Sequence, residues 1–138
     1  MNPKLKTFLT IIGVYSGAGF LAYILAPLGG MFHRIFWESR GCGWWIPCDK
    51  GAYFEGFIYF FIYFLAVFSF YALRQKTAWK VYVAGTFIFW ALIIYTIIDS
   101  HKLYRNEYLG GLIIMLCAFG LGYLSAVGAG KVIKKIKQ

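Results

Sequence analysis

The sequence has little charge, and none of it lies where charge would do work inside a membrane. Charged residues make up 14% of the 138 positions, against roughly 25% in soluble domains. Only five are acidic: Glu38, Asp49, Glu55, Asp99 and Glu107. None falls at the centre of an apolar stretch. Proton relays, ion pathways and voltage sensors keep ionisable groups within the membrane, because charge there is expensive and is retained only for use. Their absence argues against proton-coupled transport, with Glu55 the one acid close enough to a span to be reconsidered. Cysteine is scarce, with three residues and no C-x-x-C pair, which weighs against a thiol oxidase that hands electrons to a quinone. No catalytic or cofactor motif stands out. The residues specify no cofactor, and the chain reads as a non-enzyme rather than an enzyme.

What is present is apolar. The hydrophobic fraction is 61% and the aromatic fraction 22%, where soluble domains carry roughly 45–50% apolar residues. A chain of this length forms one domain at most, and a domain so small leaves much of its surface outside any core of its own. Lipid must cover the remainder.

Four apolar stretches, about 8–28, 53–72, 81–98 and 108–129, each approach the roughly 20 residues that cross a hydrocarbon core. They predict an all-α polytopic membrane protein: one four-helix transmembrane domain over 1–138, with an outer loop at 29–52 and a tail at 130–138. Lys4 and Lys6 precede the first span as they would in a signal peptide. Its apolar run is too long for that, however, and Pro27 closes it without a small-x-small cleavage site, so it reads as a retained helix.

Orientation follows from the basic residues. Lys4, Lys6, Arg74, Lys76, Lys80, Lys131, Lys134, Lys135 and Lys137 collect on one side with no acid. Arg34, Arg40, Lys50, Lys102 and Arg105 collect on the other with all five acids. The net charge of +9 is therefore a topology signal and does not indicate a nucleic-acid partner. It predicts a multi-pass protein of the plasma (inner) membrane with both termini in the cytoplasm.

Within the outer loop, Gly29 and Gly30 are expected to break the first helix after Pro27. Met31, Phe32, Ile35 and Phe36 then recur at helical spacing, the pattern of a short amphipathic helix lying in the interface. Cys42 and Cys48 follow, separated by five residues, and in an oxidising compartment they predict a disulfide around Trp44, Trp45 and Pro47. Trp44 and Trp45 favour the headgroup level and are candidate partner contacts.

Small residues allow membrane helices to approach closely. The first span carries Gly13 and Gly17, with Ala18, Ala22 and Ala26 on a neighbouring row, and the fourth carries Ala118, Gly122, Ala126 and Gly130. These two spans are the expected close-packed pair, or else the surface through which copies associate. The second span is bulky instead: eleven of the nineteen positions from Tyr53 to Tyr71 are Phe or Tyr. The rings are read mainly as packing, with Tyr59, Tyr63 and Tyr95 as a candidate lining for a quinone, pigment or lipid tail.

His33, Glu55, Asp99, His101 and Glu107 gather toward the outer end. Imidazole and carboxylate suit zinc or copper, so His33, Glu55, Asp99 and His101 are candidate ligands. Asp99 and His101 are two apart, however, and share no helix face, so interfacial polarity is the simpler reading. The basic and apolar residues of Lys131–Gln138 predict a tail held on anionic lipid. Together these features favour a non-catalytic accessory subunit or partner-binding component of a larger membrane complex. A transporter or channel for a neutral or lipophilic solute stands second, and a thiol-redox or lipid-modifying membrane enzyme third.

Overall fold

The chain enters its first helix through a side-chain cap. The Asn2 Oδ1 accepts from the Lys4 backbone N–H at 3.1 Å, and the Asn2 carbonyl accepts from Lys6 N–H at 3.0 Å. Pro3 occupies the first helical position, where its missing N–H costs nothing. The computed structural model describes residues 2–36, 50–99 and 102–136. They form four helices: α1 (Pro3–Phe36), α2 (Lys50–Ala72), α3 (Gln75–Asp99) and α4 (Lys102–Ile136). Each contains a stretch long and apolar enough to cross a membrane, namely Pro3–Gly29, Tyr53–Ala72, Gln75–Asp99 and Tyr108–Ile136.

The helices overrun the expected spans. At 1.5 Å per residue, the 34 residues of α1 and the 35 of α4 are each about 50 Å long, against a hydrocarbon core of roughly 30 Å. α1 passes through Pro27, Gly29 and Gly30 without breaking, so the stretch from Met31 to Phe36 is its end and not a separate interfacial helix. The reason lies in α2: a Cβ on Gly29 would overlap the Gly56 backbone. Gly29 is small because two helices nearly touch there, and no glycine among the described residues has a positive φ. Likewise, the tail continues α4 as helix to Ile136. That geometry sets Lys131, Lys134 and Lys135 on one side and Val132, Ile133 and Ile136 on the other.

α2 is the centre, and it packs against α1, α3 and α4. Ile62, Leu65, Ala66 and Ser69, fully buried, run along it. α1 lays Val14, Ala18, Ala22 and Ala26 against this core, all of them buried. Gly17 meets the Phe68 ring, which lies 3.3 Å from where a Cβ would be. From the other side, Gly122 of α4 lies so close that a Cβ would stand 2.6 Å from the Tyr63 carbonyl oxygen and 2.9 Å from the Ala66 Cβ. The expected pairing of the first span with the fourth is thus corrected: α1 and α4 form no packed pair. Each presents its small-residue row to the bulky helix between them, because a row of alanines and glycines leaves room that large side chains fill.

α2 and α3 are joined only by Leu73 and Arg74. The Leu73 N–H donates to Ser69 O at 3.0 Å, and Thr77 and Ala78 N–H both donate to Arg74 O at 2.9 Å. Near this turn the rings of Phe70, Trp79, Tyr82, Phe119 and Tyr123 lock α2, α3 and α4 together. Their centroids approach to 4.3 Å for Tyr82–Phe119, 5.0 Å for Phe70–Tyr123 and 5.1 Å for Phe70–Trp79. Two of these pairs are edge-to-face, an arrangement the ring quadrupole favours. With α1 and α3 running one way and α2 and α4 the other, Lys4, Lys6, Arg74, Lys76, Lys80, Lys131, Lys134 and Lys135 share one end of the bundle, called here the basic end.

Candidate functional site: tyrosine links and an open groove on α3

Several hydroxyls are spent on the helices themselves, while those of Ser69 and Tyr82 are buried without a hydrogen-bond partner. Thr7, Thr10 and Thr86 each donate to the carbonyl four residues back, at 3.1, 2.9 and 2.8 Å, as serine and threonine commonly do within helices. Three tyrosines reach further and tie the helices in pairs. Tyr53 Oη donates to Tyr23 O at 2.9 Å, linking α2 to α1. Tyr63 Oη and Ser125 Oγ share a bond of 3.1 Å between α2 and α4. Tyr15 Oη donates to Val81 O at 2.7 Å, linking α1 to α3. Hydrogen bonds of this kind between membrane helices contribute about 0.6 kcal/mol each on average, so their larger effect is to fix register.

The candidate ring lining from Tyr59, Tyr63 and Tyr95 does not form one pocket. Tyr59 is buried in the core, Tyr63 is bonded to Ser125, and Tyr95 is 64% exposed on α3. Tyr95 does line a different feature, an open groove of about 630 Å³ running along α3 from Tyr82 past Thr86 and Trp90 to Ile98. Its wall is almost entirely carbon. Of its polar atoms, Trp90 Nε1–H donates to Thr86 Oγ1 at 3.1 Å and Thr86 donates to Tyr82 O, while the Tyr82 hydroxyl is buried without a hydrogen-bond partner. A second hollow of about 440 Å³ shares Val83 and Phe87 with the first and continues it to Trp79 and Lys80. Sequence reasoning missed this groove and the Tyr15 link. The signal for the link was Gly85, the only glycine in a helix otherwise rich in bulky residues.

The candidate site residues separate into distinct groups. Gly17, Gly122 and Ala126 are used inside the bundle, and Ala118 packs against its core. Gly13 is exposed, with nothing within 4 Å of where its Cβ would be, and the same open space surrounds Gly120, Gly128 and Gly130. Glu55 lies half-buried in the second turn of α2, and Asp99 is exposed at the end of α3. His33 belongs to α1, but its side chain lies outside the described residues. His101, Cys42, Cys48, Trp44 and Trp45 lie outside them altogether. Among the described residues, no three His, Cys, Asp or Glu side chains gather as a metal site would require. Cys117, exposed on α4, is in no disulfide. No protein-family model, curated protein or solved structure matches this chain.

Proposed function

We propose that this protein is a non-catalytic membrane subunit that holds other membrane polypeptides against the outward faces of α1 and α4. In this reading it sits in the plasma (inner) membrane with both termini in the cytoplasm, and a Cys42–Cys48 disulfide shapes its outer loop. Outward-facing glycine is the observation that carries the proposal. A glycine within a helix costs roughly 0.5–1 kcal/mol relative to alanine, so its use calls for a reason. Gly17, Gly29, Gly85 and Gly122 have one within the bundle, where each receives a neighbouring ring or backbone. Gly13 on α1 and Gly120 and Gly128 on α4 have no such neighbour. Small residues of this kind let a second helix approach closely in lipid. The lack of charge at the centres of the spans further favours packing over proton-coupled transport.

The test is extraction from the native membrane in mild detergent, followed by mass measurement of what accompanies the chain. Fixed-stoichiometry recovery with other polypeptides is expected. Gly120→Leu combined with Gly128→Leu should release them while leaving the bundle folded, because a Cβ at either position would meet no atom within 4 Å. Recovery of the chain alone, or association undisturbed by the double substitution, would sink the proposal.

A further inference from the structure

The groove on α3 has a chemical polarity along its length. Its body, from Val83 to Ile98, is almost entirely carbon: Thr86 and Trp90 are bonded to each other and to the backbone, and the Tyr95 hydroxyl is the one other polar group among the side chains that line it. An occupant of that part gains from burying hydrocarbon and would lose by burying a polar group without a partner. The mouth differs. It is formed by Trp79, Lys80, Val83, Ala84 and Phe87, with Lys80 supplying a positive charge and Trp79 a ring suited to the headgroup level. Arg74 and Lys76, both exposed, stand within two turns of it. Among the described residues no acid belongs to this end of the bundle, whereas Asp99 stands exposed at the other end of the same helix. From these observations we infer that the groove is a binding site for one anionic phospholipid from the leaflet at the basic end. The phosphate rests at Lys80 and an acyl chain lies along Val83, Phe87 and Trp90.

The dimensions agree. From Lys80 to Trp90 is ten residues of helix, about 15 Å, which is the depth of one leaflet of a roughly 30 Å core. A chain anchored at Lys80 therefore reaches the Trp90 ring at mid-membrane. Charge also selects among occupants. A second copy of this protein inserts with the same orientation and would bring its own Lys131, Lys134 and Lys135, or Lys4 and Lys6, toward Lys80, setting like charges together. A zwitterionic lipid fills the hydrocarbon part equally well but gains less at the mouth. An anionic lipid satisfies both parts.

Two of the five tryptophans, Trp79 and Trp90, line the groove, which makes it directly observable. In a Trp37→Phe, Trp44→Phe, Trp45→Phe background, the full chain is reconstituted in phosphatidylcholine vesicles. These contain a small fraction of either dibrominated phosphatidylglycerol or dibrominated phosphatidylcholine, whose bromines quench tryptophan on contact. Quenching by the anionic lipid should reach half-maximum at about five-fold lower fraction, the factor that one basic residue near an anionic surface gives. Lys80→Gln should abolish that preference and Lys134→Gln should leave it intact. Ala84→Phe, which fills the mouth and retains Lys80, should weaken quenching by both lipids. Equal quenching in the parent chain, or a preference that survives Lys80→Gln, overturns the assignment. So does a parent chain that neither lipid quenches, which would mean that protein covers the groove.

Discussion

The Tyr15 hydroxyl donates to the Val81 carbonyl at 2.7 Å, and the same ring lies so close to Gly85 that a Cβ there would meet Tyr15 Cε1 at 2.5 Å. One side chain thus sets both the distance and the register between α1 and α3. Tyr15→Phe, which removes only the bond, should destabilise the bundle by about 0.6 kcal/mol, the usual worth of an interhelical hydrogen bond in lipid. Gly85→Ala should cost more, about 1–3 kcal/mol, because Tyr15 and the Leu65 Cδ2 at 2.8 Å must both yield. Unfolding by sodium dodecyl sulfate in mixed micelles, followed by circular dichroism, ranks the two. A Gly85→Ala protein as stable as the parent would contradict the close approach.

Two glycines of α4 only two positions apart should behave oppositely. At Gly122 a Cβ meets backbone, the Tyr63 carbonyl oxygen at 2.6 Å. Backbone cannot swing aside, so Gly122→Ala should destabilise by about 1–3 kcal/mol as overpacking does. Gly120 faces open space, and Gly120→Ala should change stability by less than about 0.5 kcal/mol. The same micelle titration reads both, and equal effects would show that the face of α4 assigned to α2 is wrong.

The Tyr63–Ser125 bond joins α2 to α4 at 3.1 Å. A double-mutant cycle with Tyr63→Phe and Ser125→Ala isolates it, and the coupling should be about 0.6 kcal/mol and no more than about 1.7. A coupling near zero would leave only the glycine contact and the ring cluster to hold that interface.

Cysteine labelling addresses the proposed topology. Applied to intact cells, a membrane-impermeant maleimide should leave the protein unlabelled until a reductant opens the outer disulfide, after which Cys42 and Cys48 should react. Cys117, within the span Tyr108–Ile136, should stay unreactive toward this aqueous reagent throughout. Labelling without reductant would remove the disulfide. Labelling only after the membrane is permeabilised would reverse the orientation.

The number of spans was legible because the signal behind it is additive. About twenty apolar residues suffice to cross a bilayer whatever they touch, and all four stretches met that condition. Partners were less legible. The alanine row from Ala18 to Ala26 and the row from Ala118 to Ala126 look alike on paper, and matching like with like suggested that they pack together. Close packing instead joins a recess to a protrusion, so each row took the bulky α2. Gly29 misled for a related reason. Glycine after proline reads as a breaker in water, where a freed backbone group is readily hydrated. Inside a bundle the same glycine can mark the nearest approach of another helix, and no local pattern distinguishes the two. The α3 groove left no trace in the sequence, since it is defined by what fails to pack against Trp90 and Tyr95 rather than by either residue.

The central place of α2 also bears on how the molecule is made. α1 leaves the ribosome first, and its alanine and glycine row can rest against lipid with little hydrocarbon left unmatched. Once α2 follows, a two-helix unit with its own closely fitted seam from Gly17–Phe68 to Gly29–Gly56 exists when about half the chain has been synthesised. α3 is then delivered across the two-residue turn at Leu73 and Arg74, which leaves it nowhere to go but alongside α2. Only α4 must search, passing α3 to find the far side of α2, and Gly122 is the notch that tells it when it has arrived. α3 and α4 thus each pack on a helix that precedes them in the chain.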